Sequence, residues 1–448
     1  MLMSSLSSQP YKGTRDWYPD DKRVQNYIFK VWRETAESFG YEEYGAPMLE
    51  PIEVYAAKSG QELVNEQTYV FTDRGDRQVA IRPEMTPSIS RMVAARRQEM
   101  AYPARLFSIA NFMRYERPQR GREREFWQLN VDIFGIESIL AEVETITYGA
   151  TMLKKFGASD DMFVIRINNR KVIDTMMRDY LGLDEVSAHL MVKLFDRKSK
   201  ITSEEFRDQA IEIFGQDAAP AGLKKISELL LARTIEDVPA ELLEHEAFGD
   251  VKELFKQLKK EGVTNAIFDI TLMRGLDYYT GTVFEFFDTD PENKRSLFGG
   301  GRYDGLVGLF GAEPISAVGM APGYTTTELF LRSHKLLPEL SSTTEAYMLV
   351  LSEEVRDNAA KLVSSLRDEG VKVEIDITGR KLDKQLKTAL KKKIPFLIFV
   401  GHDEVEKKIY TFKDTTSETE HHYSFERMVS AIKDRRRKQQ DELDELFE

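Results

Sequence analysis

The spacing of apolar residues changes period three times along this chain of 448 residues, and no single layer architecture accommodates all the resulting blocks. Up to residue 169, short apolar runs at 79–81, 106–112 and 129–134 have strand character and are separated by arginine-rich or polar turns. That pattern predicts a sheet with long hairpin loops. A helix precedes it: Tyr27, Ile28, Val31 and Trp32 recur at helical spacing within residues 24–39, and Phe39-Gly40 supplies a stop. From 170 to 260 the period turns helical with charged faces, at 171–180, 203–214 and 223–231, as expected of an inserted helical domain. Strand-like runs return at 266–270, 282–287 and 317–320, so the first sheet is expected to resume across 261–338. The stretch Pro338-Glu-Leu-Ser-Ser-Thr-Thr opens a linker over 339–345. Beyond it, residues 347–351, 371–375 and 396–400 alternate with helical stretches reaching 367 and 393, which predicts a small, mostly parallel α/β domain over 346–448.

Cysteine is absent, which removes disulfide scaffolds, thiolate zinc sites, iron–sulfur clusters and cysteine nucleophiles and points to a cytosolic redox compartment. Residues 1–10 are polar and serine-rich, and no stretch approaches the roughly 20 apolar residues of a membrane span. A cytoplasmic protein without a membrane segment is expected. Lysine and arginine total 63 against 75 acidic residues, a net charge of -12. Such a body does not coat nucleic acid indiscriminately, but it leaves room for local basic faces. A basic run followed by an acidic tail, 433–448, reads as a frayed helix end rather than a binding arm.

The densest chemical signal is the run from Arg114 to Arg124, with arginines at 114, 117, 120, 122 and 124 and with Pro118 and Gly121 marking a loop tip. Guanidinium forks bind two phosphate oxygens in fixed geometry, so a polyphosphate or nucleic-acid backbone is the guest such a loop suits. The alternative is a solvated hairpin with internal Arg–Glu pairs. A second signal, Arg274-Gly-Leu-Asp-Tyr-Tyr-Thr-Gly-Thr-Val-Phe-Glu285, sets Tyr278 and Tyr279 beside an arginine, a combination able to hold a carboxylate and a heterocyclic ring. The third, Gly299-Gly-Gly-Arg-Tyr-Asp-Gly305, lets backbone approach a ligand closely, although a glycine run is more often a turn and here lacks a P-loop ending. All six histidines lie at or beyond His189, which disfavours a histidine-based triad in the first sheet, and the adjacent His421 and His422 lack metal-ligand spacing. No metal site is expected. Finally, Arg380, Lys384, Lys387 and Lys391 are spaced to line one helix face, opposite an apolar face of Leu382, Leu386 and Ala389.

Taken together these motifs resemble the class II aminoacyl-tRNA synthetases in their histidyl form. Residues 106–135, containing Phe-Met-Arg-Tyr-Glu-Arg-Pro-Gln-Arg-Gly-Arg, resemble the second class II signature, and residues 274–285 and 299–306 resemble the histidine-specific and glycine-rich elements. Lys12-Gly-Thr-Arg-Asp, Pro47 in a dimer-forming first motif, and Arg82-Pro-Glu84 with Thr86 are further matches. The resemblance covers nearly the whole chain. It implies an α/β fold class made of an α+β catalytic domain (1–169 and 261–338) with a mostly antiparallel sheet, a helical insertion (170–260) and a C-terminal α/β anticodon-binding domain (346–448).

The implied reaction is activation of L-histidine by ATP, with Mg2+ accompanying the nucleotide, followed by transfer to the terminal ribose of histidine tRNA by a homodimer. Because the amino acid's own carboxylate attacks the α-phosphate, positioning and charge neutralisation matter more than a protein nucleophile. By resemblance Arg114 and Arg274 are catalytic. Arg114, Glu116, Arg122 and Phe126 hold ATP, with Glu116 at the adenine amino group and Phe126 stacked on the base. Glu84, Thr86 and Gln128 receive the ammonium and carboxylate of histidine, Asp132 and Tyr278 read the imidazole, and Arg274, Tyr279 and Tyr303 complete the pocket. Gln119 and Arg122 meet the acceptor end of the tRNA, and Arg380, Lys384 and Lys387 its anticodon region.

Two positions depart from the pattern. Thr326 stands where the third class II motif places an ATP-gripping arginine, a charge-assisted contact worth about 1.5–3 kcal/mol. Asp132 stands where many members carry glutamate. The competing reading is a non-catalytic histidine-sensing paralogue, such as a regulatory subunit of ATP phosphoribosyltransferase, which would lack the anticodon domain and erode the adenylation arginines. A generic RNA-binding module would leave the Arg274 element unused.

Overall fold

A computed structural model describes residues 6–56, 66–198, 201–232, 234–273, 278–293 and 295–444. The chain divides between Leu337 and Pro338 into two compact units. The first is built on an eight-stranded sheet in the order Glu42–Glu43, Ala104–Met113, Glu125–Phe134, Ala317–Met320, Ser296–Arg302, Thr282–Asp288, Phe163–Asn169, Ala266–Phe268. Five of its pairings are antiparallel and only the two outermost are parallel. The strands are longer than the apolar runs suggest, because polar residues facing the site extend them: the hairpin of Ala104–Met113 and Glu125–Phe134 pairs over ten residues.

The helix Pro19–Ser38 begins with proline in its first turn and Asp20 and Asp21 at its positive end. It buries Tyr27, Ile28, Val31, Trp32 and Ala36 on one stripe and ends before Gly40, whose φ of +77° is costly for any residue with a Cβ. The parallel outer pairing of Phe163–Asn169 with Ala266–Phe268 is bridged by the helical block, whose members include Glu185–Arg197, Ser203–Phe214, Ala219–Leu231 and Ala247–Lys260. Thr202 and Glu205 cap the second of these reciprocally, at 3.1 and 2.9 Å. The block packs a core of its own around Met191, Leu194, Phe195, Leu229, Phe248 and Val251.

The glycine run does not form a turn. Gly299, Gly300 and Gly301 lie inside the strand Ser296–Arg302, where register leaves no room for side chains. A Cβ on Gly300 would sit 2.2 Å from the carbonyl oxygen of Gly319, and one on Gly301 2.8 Å from the Tyr279 ring. The backbone approach that these glycines permit is to neighbouring strand and ring. Arg302, directly after them, is buried and clamps Glu142 through Nε at 2.7 Å, with further bonds to the carbonyls of Ile136 and Ser138.

The second unit carries a five-stranded sheet in the order Val373–Ile375, Ala346–Val350, Phe396–Val400, Tyr410–Asp414, Glu420–Tyr423. Two pairings are parallel and two antiparallel, so the sheet is mixed rather than mostly parallel. The missed pair is a polar hairpin on the sheet edge, Tyr-Thr-Phe-Lys-Asp and Glu-His-His-Tyr, which has no continuous apolar run to announce it. The C-terminal basic run is not frayed. It belongs to the helix Phe425–Asp444 and is tied down by Arg436 to Glu345 at 2.6 Å and Lys433 to Glu369 at 3.0 Å.

Candidate functional site

Residues at even positions of the strand Glu125–Phe134 share one face by the two-residue period of a strand, while Trp127 on the other face meets Phe29 of the helix Pro19–Ser38 with ring centroids 5.3 Å apart. Gln128 and Asn130 on the even face line a cavity of about 60 Å³, whose walls also include Glu84, Thr86, Arg114, Tyr278, Tyr279 and Tyr303. A second cavity, of about 130 Å³, is lined by Glu116, Gly121, Arg122, Glu123, Phe126, Trp127 and the start of the helix Tyr324–Ser333. Arg114 borders both. One guanidinium therefore joins a small tyrosine-rich pocket to an arginine- and phenylalanine-lined cleft.

Arg114 is held there from two sides. Its Nε donates to the carbonyl of Pro83 at 2.8 Å, and its guanidinium carbon lies 5.2 Å from the centroid of the Phe126 ring. The Pro83 carbonyl is itself fixed by the buried Arg82, which bonds the backbone carbonyls of Asn111 at 2.9 Å and Ala46 at 2.8 Å. Arg82 is thus a pin for the segment presenting Glu84, and it faces protein rather than a ligand. Glu84 in turn accepts from the Tyr278 hydroxyl at 2.9 Å. Burial pushes the phenols of Tyr278 and Tyr303 well above their ordinary range, so both are neutral donors at any physiological pH.

Asp132 is not on the cavity wall. It lies behind it, beneath Gly319, and the Tyr303 hydroxyl donates to its Oδ1. Desolvation raises its carboxyl to about 7, against the lowering effect of the Tyr303 and Tyr44 hydroxyls. Tyr303, which lines the cavity, thus stands between it and the Asp132 Oδ1.

The arginine hairpin combines both sequence readings. Arg122 pairs with the buried Glu116 at 2.6 Å, as an internally paired loop would, and Arg124 lies over the Tyr115 ring at 4.1 Å and bonds Tyr11. Gln119 and Arg122 close the tip with reciprocal backbone bonds, and Gln119 and Arg117 are exposed. Thr326 donates its hydroxyl to Leu297 and Gly323 carbonyls at 2.6 and 3.0 Å and borders the second cavity with Thr325, whose hydroxyl donates to Glu123 at 3.2 Å. Burial raises the Glu123 carboxyl. Arg274 lies outside the described residues.

In the second unit the helix Leu382–Lys391 exposes Lys384, Lys387 and Lys391, while Gln385 and Ala389 are its buried residues and Leu382 is exposed. Arg380 is not part of that stripe. It precedes the helix, and its guanidinium is taken by the buried Asp376, through Nε at 3.2 Å and a second, closer contact. The Tyr347 hydroxyl and Thr378 share that carboxylate, which is held at about 2.

Asn130 is the residue that motif reasoning passed over. An asparagine inside a strand gives no sequence signal beyond polarity, and only the alternation Gln128, Asn130, Asp132 hints that a whole face is polar. Among the described residues no group of three or more histidine or acidic side chains converges as a metal cage, and no helix is long and apolar enough to cross a membrane.

Residues 13–325 match the family model described as histidyl-tRNA synthetase, and residues 345–435 match that described as an anticodon binding domain. The histidine–tRNA ligase of Leptospira biflexa is 40% identical over 437 residues, covering 97% of this chain and 99% of the relative. That of Opitutus terrae is 36% identical over 439 residues, covering 96% and 99%. Among solved structures, the histidyl-tRNA synthetase from Nostoc aligns with a TM-score of 0.80 over 96% of this chain and 100% of that one, at 24% identity.

Proposed function

The chain belongs to the histidyl-tRNA synthetase family, and from that premise we propose that its first unit activates histidine with ATP and transfers the histidyl group to histidine tRNA. The observation that carries this reading is the position of Arg114, shared by the polar pocket and the nucleotide-side cleft. A guanidinium at that junction neutralises the α-phosphate as the histidine carboxylate attacks it, and a preorganised cation there stabilises charge that develops only in the transition state. The attacking oxygen forms a bond to phosphorus, pyrophosphate leaves, and the 3′-terminal ribose hydroxyl of the tRNA later displaces AMP from the acyl carbon.

On the amino-acid side, Glu84, Thr86 and Gln128 meet the polar end of histidine, and Tyr278, Tyr279 and Tyr303 surround the ring, with Asp132 acting through Tyr303. On the nucleotide side, Glu116 and Phe126 meet the adenine, and Arg122 lies towards the phosphates. Magnesium enters with ATP as part of the substrate. Arg274 is the second catalytic arginine of this scheme, and Gln119 and Arg122 face the tRNA acceptor end. Lys384 and Lys387 contact the anticodon arm, and the enzyme works as a cytoplasmic homodimer.

A histidine-sensing regulator needs the amino-acid pocket alone. The nucleotide-side cleft bordered by Arg114 and the anticodon-binding match over 345–435 both favour the enzyme. Pyrophosphate exchange into ATP, run with each of the twenty amino acids, tests the reading: exchange with histidine alone is expected, and its absence in a chain that binds histidine would establish the regulator instead.

A further inference from the structure

Residues 11–17, which include the Lys12-Gly-Thr-Arg-Asp run, take no part in the chemistry described above, yet they bond to both walls of the nucleotide-side cavity. On the hairpin side, the Gly13 carbonyl accepts the Arg124 N–H at 2.7 Å, one residue before the strand Glu125–Phe134 begins. Gly13 has a φ of +86°, and a Cβ there would stand 2.8 Å from Arg124 Cγ and 2.9 Å from Pro118 Cγ, so any side chain would displace the arginine stem or the proline. The Tyr11 hydroxyl accepts a further bond from Arg124 at 2.9 Å. On the helix side, an Arg15 guanidinium nitrogen donates to Glu328 of the helix Tyr324–Ser333 at 2.9 Å, and Trp17 meets the Tyr324 ring edge-on with centroids 5.1 Å apart. Arg15 is itself held in place: its guanidinium carbon lies 4.3 Å from the Trp17 centroid, and its other terminal nitrogen donates to Asp21 at 2.9 Å.

The two walls also meet directly, through the Leu129 N–H on the Pro322 carbonyl at 2.9 Å and the Thr325 hydroxyl on Glu123 at 3.2 Å. Phe126 and Trp127 of one wall lie between Arg124 and Leu129, and the lining residues at 323–326 of the other lie between Pro322 and Glu328. The lining is thus pinned at one end by a backbone bond and at the other by residues 13–17, which add a guanidinium–carboxylate contact one turn into the helix. We propose that residues 13–17 form a buckle fixing the separation of these walls, with Gly13 and Arg15 as positioning residues for ATP binding. Neither lines the cavity: Gly13 acts through Arg124 and the hairpin, and Arg15 through Glu328 and the start of the helix. The inference rests on the reading of this cavity as the ATP site and deepens it.

The test uses the full chain and histidine-dependent ATP–pyrophosphate exchange. Arg15→Ala leaves Glu328 paired with Arg332 at 2.7 Å, so no buried carboxylate is stranded and the chain is expected to fold. KM for ATP should rise roughly 3- to 10-fold, the scale of one partly buried charged contact acting through the helix, while kcat and KM for histidine stay within about twofold. Gly13→Ala should raise KM for ATP to a similar extent, and the double variant should raise it no further than the larger single change, because a buckle opened at either end no longer ties the walls. Arg15→Lys keeps a cation opposite Glu328 and should recover most of the loss. Parallel rises in both KM values would show that the segment supports the fold as a whole, and effects that multiply in the double variant would show two independent contacts. Either result overturns the inference, as does an unchanged KM for ATP. Absence of histidine-dependent exchange in the unaltered chain would instead sink the underlying reading.

Discussion

Replacing Asp132 by Asn should remove most of the pH dependence of the first unit's stability between pH 4 and 7. The Asp132 carboxyl rises from 3.8 to about 7 because it is wholly desolvated. Below pH 4 both the folded and the unfolded chain hold the proton, and no stability difference arises from this group. Between 4 and 7 the unfolded chain releases it while the folded chain retains it, so stability falls as pH rises and levels off above 7. At roughly 1.4 kcal/mol per pH unit, the full effect is about 4 kcal/mol. An asparagine keeps the acceptor for Tyr303 and has nothing to ionise. Urea unfolding followed by tryptophan fluorescence isolates the relevant unit, since Trp17, Trp32 and Trp127 all precede Leu337. The asparagine variant should match the parent near pH 4 and exceed it by about 4 kcal/mol at pH 7.5. A gap between the two that stays constant with pH would show that Asp132 ionises normally in the fold, and the desolvation argument would fail.

Arg114→Ala should lower the rate of histidine-dependent exchange by on the order of 100-fold or more without altering unfolding by urea beyond the loss of its bond to Pro83; a rate within twofold of the parent would remove it from the junction. Glu142→Gln removes the closer of the two carboxylates around the buried Arg302, leaving Asp304 at 3.3 Å, and should cost about 1.5–3 kcal/mol, read as a lowered urea midpoint; a shift below a tenth of that would mean the pair is solvated. Lys384→Ala with Lys387→Ala should weaken tRNA binding and flatten its dependence on log salt by roughly one to two, leaving exchange untouched. Arg380→Ala should instead lower the stability of the second unit, because its partner Asp376 also organises Tyr347 and Thr378; intact stability with reduced tRNA binding would return Arg380 to the basic face.

Local chemistry was legible wherever the deciding interaction spans a few residues. The helix over 203–214 announces itself by a period that repeats within a few turns, and the Arg114–Arg124 loop announces its hairpin because Pro118 and Gly121 sit between two strand-forming runs. The motifs that point to the family are equally local, and Glu84, Arg114, Gln128, Tyr278 and Tyr303, drawn from separate motifs, line one cavity once the chain is folded. Tertiary structure decided what register and burial control. Gly300 lies in a strand because the carbonyl of Gly319, nineteen positions on, occupies the space of a side chain. Arg302 faces Glu142 across 160 positions rather than a ligand, and Arg380 turns from the lysine face to a buried carboxylate. Asp132 retreats behind Tyr303, a contact made across 171 positions. In each case a side chain's environment is set by residues distant in sequence, and residue type and spacing alone do not encode which of its hydrogen bonds will be left unmade.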